Sequence, residues 1–294
     1  MRGTSAKAPT RIDLAGGWTD VPIFAEKYGG EVVNFAIKIH AEANVSTNED
    51  GMLIANYRSN SRLGSGLGTT GAVNVALLAA IDGGKSSPLD IAEQAYQFEM
   101  QLGNIGGRQD QWAAALGGFN HLLFIGDRVE QLPLEPLTSS INWLTKHLIL
   151  VDSGIEHVSG EMHKGVWERF KQGDTAVEEG LLLLRTAAKK MAEGLNRDRR
   201  DAVVESLKQV CAGVDLIDGN IHAPFKPVIE PLIESKHVMA WKAVGAGGGG
   251  CAAILVRPSA QDVVKMACEE AGWTVIEWEF DHEGLVIQND ETME

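Results

Sequence analysis

The spacing of apolar residues in the first part of the chain predicts strands followed by helices. Residues 30–46 and 51–57 carry β-branched and alternating apolar positions, which are typical of strands. Two helices are expected next, over about 71–83 and 88–103. The second helix begins after Ser87, a capping residue that is followed by a proline in the first helical turn.

The rest of the chain continues this mixed pattern. Leu148–Val151 is a short apolar run that predicts a buried strand, and the segment from Ser159 to about Ser235 has a helical pattern. The remaining predicted elements are strands at 238–242, 252–256 and 273–280 and a helix capped near Ser259. This order predicts an α+β fold with two lobes, residues 1–147 and 148–294.

Three glycine-rich segments interrupt the predicted elements: Pro9–Asp20, Gly64–Ala72 and Val244–Gly250. Phosphate groups are best bound by backbone N–H groups of a loop that opens into a helix, and glycines let that backbone approach closely. The middle segment leads directly into the apolar stretch Ala72–Ile81. It therefore predicts a phosphate site at a helix N-terminus, and the chain is interpreted as a nucleotide-using enzyme.

The middle segment also fits the dinucleotide fingerprint G-x-G-x-x-G over Gly66–Gly71. That fingerprint follows a buried apolar strand, whereas the polar stretch Arg58–Arg62 precedes it here. The acidic residue near the expected offset, Asp90, lies at a helix start. A Rossmann fold is therefore not favoured, and the chain has no G-x-x-x-x-G-K-[ST] loop.

Taken together, the three segments resemble those of the GHMP kinase superfamily, the small-molecule kinases named for galactokinase, homoserine kinase, mevalonate kinase and phosphomevalonate kinase. They stand in the family's order and at its spacing. A fourth stretch, Gly106–Asn120, is similar to the branch that phosphorylates fucose and heptose 7-phosphate. The resemblance implies a GHMP-kinase-like fold whose active site lies in the cleft between the lobes.

Two carboxylates are the main candidates for phosphoryl-transfer chemistry, which needs a positioned nucleophile and a divalent cation on the phosphates. Glu99 lies near the end of the predicted helix, and Asp110 follows eleven residues later. The glycines between them would let the chain reverse, so that both carboxylates face the same phosphate loop. The resemblance implies that Glu99 binds Mg²⁺ and that Asp110 is catalytic, orienting or deprotonating the acceptor hydroxyl.

The resemblance also implies which residues hold ATP. The phosphate loop would comprise Gly64, Ser65, Gly66, Leu67, Gly68, Thr69 and Thr70. Thr70 would also bind Mg²⁺, and Thr69 would donate to phosphate. The family often has serine at both positions, and threonine supplies an equivalent oxygen. An alternative interpretation is that the two threonines cap the helix, which is compatible with phosphate binding because both uses need the same geometry.

In the first segment, Arg11 and Asp20 are the functional candidates. A guanidinium near Asp110 would stabilise the charge that develops on the transferring phosphoryl group, which makes Arg11 a second catalytic candidate. Asp20 can accept hydrogen bonds from sugar hydroxyls, a substrate role that the resemblance also suggests. The alternatives are a structural salt bridge for Arg11 and a turn aspartate for Asp20.

Further substrate contacts follow from the resemblance. The glycine loop of the third segment is expected to pack against the phosphate loop and to shape the acceptor pocket. Arg108 stands where lysine or serine is common in the family, and it is expected to contact the substrate. A weaker candidate is His157, for which a structural role is the alternative. The substrate residues predicted in addition to Asp20 are Gly17, Gly247, Gly248 and Arg108.

Charge narrows the range of partners. The chain has 294 residues, and its 26 basic and 40 acidic side chains give a formal net charge of −14. Such a chain is a poor candidate for binding nucleic acid or anionic lipid over a broad surface. No apolar run approaches the roughly 20 residues of a membrane span, and the N-terminus lacks an apolar signal core. We expect a cytoplasmic protein, with Cys211, Cys251 and Cys268 reduced.

These features predict an ATP- and Mg²⁺-dependent sugar kinase that acts on an anomeric hydroxyl, with a fucose-like or heptose 7-phosphate acceptor and a monomeric or homodimeric assembly. One alternative is a kinase of another small alcohol, such as a cyclitol or a mevalonate-type acceptor. Another is a catalytically silent sensor that binds sugar and nucleotide. Such a sensor could lose Glu99, Thr70 and Asp110 without penalty, and all three are present.

Overall fold

Two antiparallel sheets organise the chain in this computed structural model, which describes residues 3–156 and 159–289. The strands are β1 (Gly3–Ala15), β2 (Gly30–Thr47), β3 (Leu53–Ser59), β4 (Phe119–Ile125), β5 (Arg128–Leu132), β6 (Leu148–Asp152), β7 (Val238–Ala243), β8 (Cys251–Val256), β9 (Thr274–Ile276) and β10 (Val286–Asn289).

Helices lie in several of the connections between these strands, together with a 3₁₀ turn at Gly219–Ile221. The helices are α1 (Pro22–Tyr28), α2 (Thr69–Asp82), α3 (Pro88–Gln101), α4 (Gln109–Leu116), α5 (Thr138–His147), α6 (Ser159–Lys171), α7 (Thr175–Asn196), α8 (Arg200–Ile217), α9 (Lys226–Glu234) and α10 (Gln261–Glu270). The mixture of helices and strands confirms the predicted α+β class.

The first sheet is built around the long strand β2. Its order is β10-β1-β2-β4-β5, and β3 pairs with the second half of β2. Strand β4 pairs with the first half of β2, while β1 runs antiparallel to β2 along most of its length. The second sheet has the order β7-β8-β6-β9. The C-terminal strand β10 returns to the first sheet, where it pairs with β1.

Small side chains let α2 approach the first sheet closely. Ala72, Ala76 and Ala79 on this helix are fully buried, and the helix packs against β1 and β2. The larger hydrophobic cluster spans the second sheet together with α7 and α8. Those two helices also pack tightly, since a Cβ atom on Gly180 would lie 2.5 Å from the carbonyl oxygen of Gly213. The close packing of α2 on the first sheet places the N-terminus of α2 beside the end of β1.

Most predicted elements are found, with shifts at their ends. The start of α3 is confirmed, because Ser87 and Asp90 form a capping box there. The helix expected to be capped near Ser259 is found, with Ala260 at its N-cap and no side-chain capping bond. The strand expected over 273–280 is limited to β9, because Trp278 and Phe280 turn instead into an aromatic cluster with Phe35.

The proposed lobe boundary falls where α5 ends and β6 begins. Because β10 pairs with β1, the first sheet includes a strand from each of the predicted lobes. The division at 147/148 stays a prediction. The three cysteines form no disulfide in the structure, and Cys251 and Cys268 are buried. Among the described residues, no helix combines the length and the apolar character that a membrane crossing requires.

Candidate active site

The three glycine-rich segments meet at one cleft of about 280 Å³. Arg11 and Asp20 come from the first segment, and Gly245 from the third. The cleft is lined by Arg11, Trp18, Asp20, Val21, Gly64, Gly66, Gly68, Thr69, Thr70, Glu99, Asn104, Ile105, Gly106, Gly107, Gln109, Asp110, Gln111, His163, Gly245 and Ala246. Both predicted carboxylates, Glu99 and Asp110, therefore face the same space as the predicted phosphate loop.

The predicted phosphate loop ends at the N-terminus of α2, as the sequence indicated. Gly68 is the N-cap residue, with a left-handed backbone (φ 73°, ψ 24°) that favours glycine. Gly66 also has a positive φ of 86°, and a Cβ atom there would overlap the carbonyl oxygen of Val244. The third segment thus packs directly on the loop, and only a glycine permits this approach. The first backbone N–H groups of α2 have no partner within the helix, and the residues Gly68, Thr69 and Thr70 at this end of the helix line the cleft.

The hydroxyl side chains of the loop fall into two groups. Thr69 is buried, and its Oγ1 lies 2.7 Å from Ser61 Oγ and 3.3 Å from Ser65 Oγ. Thr70 is exposed on the first turn of α2 and lines the cleft. Neither threonine is the cap residue, so the capping interpretation was wrong. The buried side chains of Ser65 and Leu67 support the loop from behind, and neither residue is among those that line the cleft.

Arg11 holds Asp110 against the phosphate loop. Its Nε and Nη2 atoms lie 2.8 and 2.6 Å from Asp110 Oδ1, and Nη1 donates to the carbonyl oxygen of Gly66 at 2.6 Å. The Arg11 side chain is 3% exposed, whereas that of Asp110 is 30% exposed. Asp110 also packs against Gly68, where a Cβ atom would lie 3.3 Å from Oδ2. The salt bridge expected as an alternative for Arg11 is therefore present, and it lies inside the cleft.

Glu99 presents a half-buried carboxyl to the cleft from the end of α3. Its Oε1 accepts a hydrogen bond of 2.9 Å from Asn74 Nδ2 on α2. Burial raises the pKa of Glu99, and hydrogen bonds from Asn74 and Gln111 oppose that effect. A cation would favour the ionised form of this carboxyl. Glu99 and Thr70 thus offer hard oxygen ligands of the type that Mg²⁺ prefers.

The described residues contain no group of three or more His, Cys, Asp or Glu side chains arranged to bind a metal. This finding is compatible with Mg²⁺, which usually takes one or two carboxylates from the protein and its other ligands from substrate phosphates and water. The residues at the loop therefore fit a cation that is shared with a nucleotide.

Asp20 is buried in the same cleft, in the turn that follows β1. Its Oδ2 accepts a hydrogen bond of 3.0 Å from the backbone N–H of Gln109, and Gly107 packs so closely that a Cβ atom there would overlap the carboxylate. Burial raises the pKa of Asp20 to about 7, the Gln109 N–H opposes this, and the charges of Asp110 and Asp13 add to it. Asp20 thus does more than close a turn.

Several other predicted substrate residues lie outside the cleft lining. Arg108 is buried against α3, where its guanidinium lies over the Tyr96 ring at 4.5 Å and its Nε lies 3.4 Å from Glu93. It turns away because it is the N-cap residue of α4, whose first turn faces the cleft with Asp110 instead. The prediction that Arg108 contacts substrate is therefore not supported by its position.

The predicted glycines Gly17, Gly247 and Gly248 support the cleft from behind. Gly17 packs on the Asp13 carboxylate, and Gly247 packs on Ile221. The N–H of Gly248 donates to the carbonyl oxygen of Ile221 at 2.8 Å. These residues shape loops that reach the cleft, although the structure does not bring them to its lining. His157, the weaker candidate, lies outside the described residues.

Sequence reasoning missed an aromatic wall of the cleft. Trp18 has φ 81°, a backbone conformation that is strained for a bulky residue, and its ring stacks on His163 at 4.3 Å between ring centroids. His163 comes from α6, more than a hundred residues away in the chain. The tryptophan directly after Gly16 and Gly17 was the available signal, since a large side chain beside two glycines is unusual for a simple turn.

Comparisons with known proteins agree with this geometry. A D-glycero-alpha-D-manno-heptose 7-phosphate kinase of Campylobacter jejuni is 25% identical in an alignment 340 positions long, which covers 97% of this chain and 98% of that protein. The bifunctional fucokinase/GDP-fucose pyrophosphorylase of Arabidopsis thaliana is 24% identical in an alignment 319 positions long, which covers 87% of this chain and 30% of that larger protein.

The fold itself is shared with solved kinase structures. The crystal structure of a D-glycero-D-manno-heptose 1-phosphate kinase from Bacteroides thetaiotaomicron matches with a TM-score of 0.78 and 20% identity, covering 97% of this chain and 98% of that one. Residues 23–118 match the family model described as the GHMP kinases N terminal domain. Over those residues the chain therefore matches a GHMP kinase N-terminal domain, and its overall fold is similar to that of the heptose 1-phosphate kinase structure.

Proposed function

We propose that this protein is an ATP-dependent sugar kinase that transfers the γ-phosphoryl group to the anomeric hydroxyl of a fucose-like sugar or a heptose 7-phosphate. The family uses ATP as phosphoryl donor, and the two relatives described above are named for heptose 7-phosphate and fucose. The acceptor class is inferred from those names and from the Gly106–Asn120 stretch.

The main support for the proposal is that the predicted phosphate loop packs directly on Asp110. Arg11 forms hydrogen bonds with both the loop and Asp110. Gly68 and Gly71 would each meet the Asp110 side chain if they carried a Cβ atom. Arg11 joins the Asp110 carboxylate to the carbonyl oxygen of Gly66. A carboxylate beside the end of a phosphate loop is in reach of an acceptor oxygen that attacks the terminal phosphorus.

In the proposed reaction the acceptor oxygen forms a bond to the γ-phosphorus, and the bond from that phosphorus to the bridging oxygen of ADP breaks. The acceptor hydroxyl gives its proton to Asp110, whose Oδ2 is not engaged by Arg11. Arg11 keeps the carboxylate oriented and adds positive charge beside the transferring group. Both effects lower the barrier by positioning and electrostatic stabilisation, the main terms in phosphoryl transfer.

Glu99 and Thr70 would hold Mg²⁺ at the same loop. The cation would neutralise charge on the β- and γ-phosphates. The chain contributes a carboxyl fixed by Asn74 and an exposed hydroxyl on the first turn of α2. The N-terminal N–H groups of α2 and the turn at Gly64–Gly68 would bind the phosphate oxygens, which the positive end of the helix dipole favours.

Asp20 would bind hydroxyl groups of the sugar near the reacting carbon. It lies in the cleft with Asp110, and its side chain has no cationic partner among the residues that the structure describes. A buried carboxylate without a cation gains from accepting sugar hydroxyl protons as hydrogen bonds. The stacked rings of Trp18 and His163 also line the cleft, and they would give a sugar an aromatic surface to pack against.

The two alternatives explain the cleft less well. A silent sensor would not need Arg11, Asp110, Glu99 and Thr70 to converge on one loop. A mevalonate-type or cyclitol kinase would share the phosphate loop, so only the acceptor side separates it from a sugar kinase. The two relatives described above, from Campylobacter jejuni and Arabidopsis thaliana, are named for sugar substrates, so they do not favour this alternative.

An ADP-release assay against a panel of free and phosphorylated sugars, with cyclitols and mevalonate as non-sugar acceptors, tests the proposal. We expect turnover with fucose-like or heptose acceptors. Phosphorus NMR of the product should then show an anomeric phosphate. A primary-alcohol phosphate ester would overturn the anomeric assignment while leaving a sugar kinase. Turnover with mevalonate or a cyclitol alone would overturn the sugar assignment.

A further inference from the structure

A buried ion pair connects the two sheets behind the cleft. Asp13 on β1 and Lys242 on β7 are 1% and 3% exposed, and Lys242 Nζ lies 2.5 Å from Asp13 Oδ2. Burial lowers the pKa of Lys242, and the charge of Asp13 opposes that effect. Asp13 Oδ1 is also buried and has no hydrogen-bond partner among the described residues. A pair with an unsatisfied oxygen is a poor way to gain stability, because its desolvation is only partly offset.

Each partner stands directly before a segment that reaches the cleft. Asp13 packs against Gly17, so its carboxylate supports the turn that carries Asp20. Lys242 lies three residues before Gly245, whose backbone packs on Gly66 of the phosphate loop. The ion pair therefore links the turn of Asp20 to the loop that supports the phosphate site.

Asp13 also shares a strand face with Arg11, because side chains two residues apart on a strand point the same way. Arg11 bonds Asp110 and the carbonyl oxygen of Gly66. The end of β1 thus contacts the acceptor turn, the reacting carboxylate and the phosphate loop within three residues. Displacing this strand end would move the acceptor and the phosphate site relative to each other.

We propose that Asp13 and Lys242 are positioning residues that set the distance between the sugar-binding turn and the phosphate loop. This inference rests on the proposed sugar-kinase function. The pair touches neither substrate. It acts through Gly17 and Gly245, and removing it changes the alignment of acceptor and donor more than it changes the binding of ATP, whose loop is also supported by α2.

The test uses the full chain with Asp13→Asn, with Lys242→Met and with both changes together. Each single variant leaves one buried charge unpaired and is expected to lose stability, whereas the double variant removes both charges and should keep a thermal midpoint near that of the wild type. Misplacement by about 1 Å costs on the order of 10²-fold in rate. We therefore expect kcat/KM for the sugar to fall at least about 30-fold in the folded double variant, with KM for ATP within about threefold.

A purely structural pair would give a different result. In that case the folded double variant would keep its kcat/KM for the sugar within about threefold of the wild type, and the inference would be overturned. The positioning role also requires non-additive losses, so the double variant should lose no more activity than the worse single variant. His40→Gln is the control, since it removes a bond of 2.8 Å to Asp281 between two side chains that do not line the cleft.

Two further outcomes are decided by separate measurements. If the double variant does not fold, Asp13→Glu replaces it, because this change keeps the ion pair and moves the carboxylate by one methylene. Wild-type sugar turnover in Asp13→Glu would then overturn the inference. If the wild-type chain phosphorylates no sugar, the proposed function fails and the inference fails with it. If the wild-type chain phosphorylates a sugar and the folded variant does so equally well, the positioning inference fails but the proposed function stands.

Discussion

Arg11 and the phosphate loop enclose Asp110 from two sides, which restricts what its carboxylate can do. Oδ1 is committed to the guanidinium at 2.6–2.8 Å, and Oδ2 faces the loop beside Gly68. A carboxylate held this firmly can accept a proton from an acceptor hydroxyl without first reorganising. The same contacts make the residue sensitive to the loss of its charge, because Arg11 is buried and would be left unpaired.

Asp110→Asn should therefore abolish most turnover. We expect kcat to fall about 10²–10⁴-fold, the usual contribution of a positioned base, with nucleotide affinity close to that of the wild type. Initial-rate kinetics and nucleotide titration measure the two quantities. Glu205→Gln, an exposed change on α8, is the control for carboxylate loss in general. Activity of Asp110→Asn within about threefold of the wild type would rule out the assigned role.

Glu99 and Thr70 reach the cleft from different helices, and a shared cation is the simplest reason for their convergence. Glu99→Gln and Thr70→Ala should each raise the Mg²⁺ concentration needed for half-maximal activity, by several-fold or more, because each removes one hard oxygen ligand. A Mg²⁺ titration at fixed ATP tests this, with the exposed Glu26→Gln as control. If both variants keep the wild-type half-saturation, the two residues do not share a cation.

Helices and strands that depend on neighbouring residues were predicted from the sequence, whereas those that depend on distant residues were not. The start of α3 was predicted because Ser87, Pro88 and Asp90 act within four residues. Strand β1 was not predicted, since it buries Arg11 and Asp13. Their burial depends on Asp110 and Lys242, which lie 99 and 229 residues away in sequence. The pattern of residues within β1 does not indicate these distant partners.

The residues of the candidate site also fall into those that were predicted from the sequence and those that were not. Asp110, Glu99, Arg11, Asp20 and Thr70 were predicted near a phosphate loop chiefly because the glycine-rich segments resemble those of a known family, and all five line the cleft. Arg108 could not be placed correctly, because one helical turn decides which neighbour faces the cleft. The wall formed by Trp18 and His163 depends on how α6 docks, which no local pattern records.

The contact between the third glycine segment and the phosphate loop gives a prediction at this scale. Gly66→Ala adds a Cβ atom that overlaps the carbonyl oxygen of Val244 at a residue whose φ is 86°. Gly64→Ala imposes a similar backbone strain at φ 77°, but its Cβ atom would meet nothing within 4 Å. The two variants separate strain from the clash between segments.

We expect Gly64→Ala to lose about 1 kcal/mol of stability from its backbone conformation alone. Gly66→Ala should lose at least twice as much and should raise KM for ATP, because the loop must move away from Val244. Chemical unfolding and ATP kinetics measure these effects. Equal losses in the two variants would show that the third segment does not hold the loop in place.

At the scale of the whole molecule, the buried carboxyl of Asp20 opposes folding while it serves the cleft. Burial raises the pKa of Asp20 to about 7, whereas the unfolded chain has the ordinary aspartate value. The folded state therefore binds an extra proton between about pH 4 and pH 7. Its contribution to stability is present below the unfolded pKa and is lost as pH rises through the folded pKa, so ionised Asp20 destabilises the fold at pH 8.

Asp20→Asn removes this cost while keeping an oxygen that can accept from the Gln109 N–H. We expect the variant to be more stable than the wild type at pH 8, by an amount on the order of 2–4 kcal/mol, and the difference to shrink towards zero near pH 4. The same variant should raise the sugar KM much more than the ATP KM, since an amide binds sugar hydroxyls less strongly than a carboxylate. Denaturant unfolding between pH 4 and pH 8 measures the first effect, and initial-rate kinetics measure the second. Glu26→Gln is again the exposed control.

A variant that is as stable as the wild type at every pH would show that Asp20 ionises in the folded protein as it does in the unfolded chain. A more stable variant with an unchanged sugar KM would show that this buried charge is kept for something other than the acceptor.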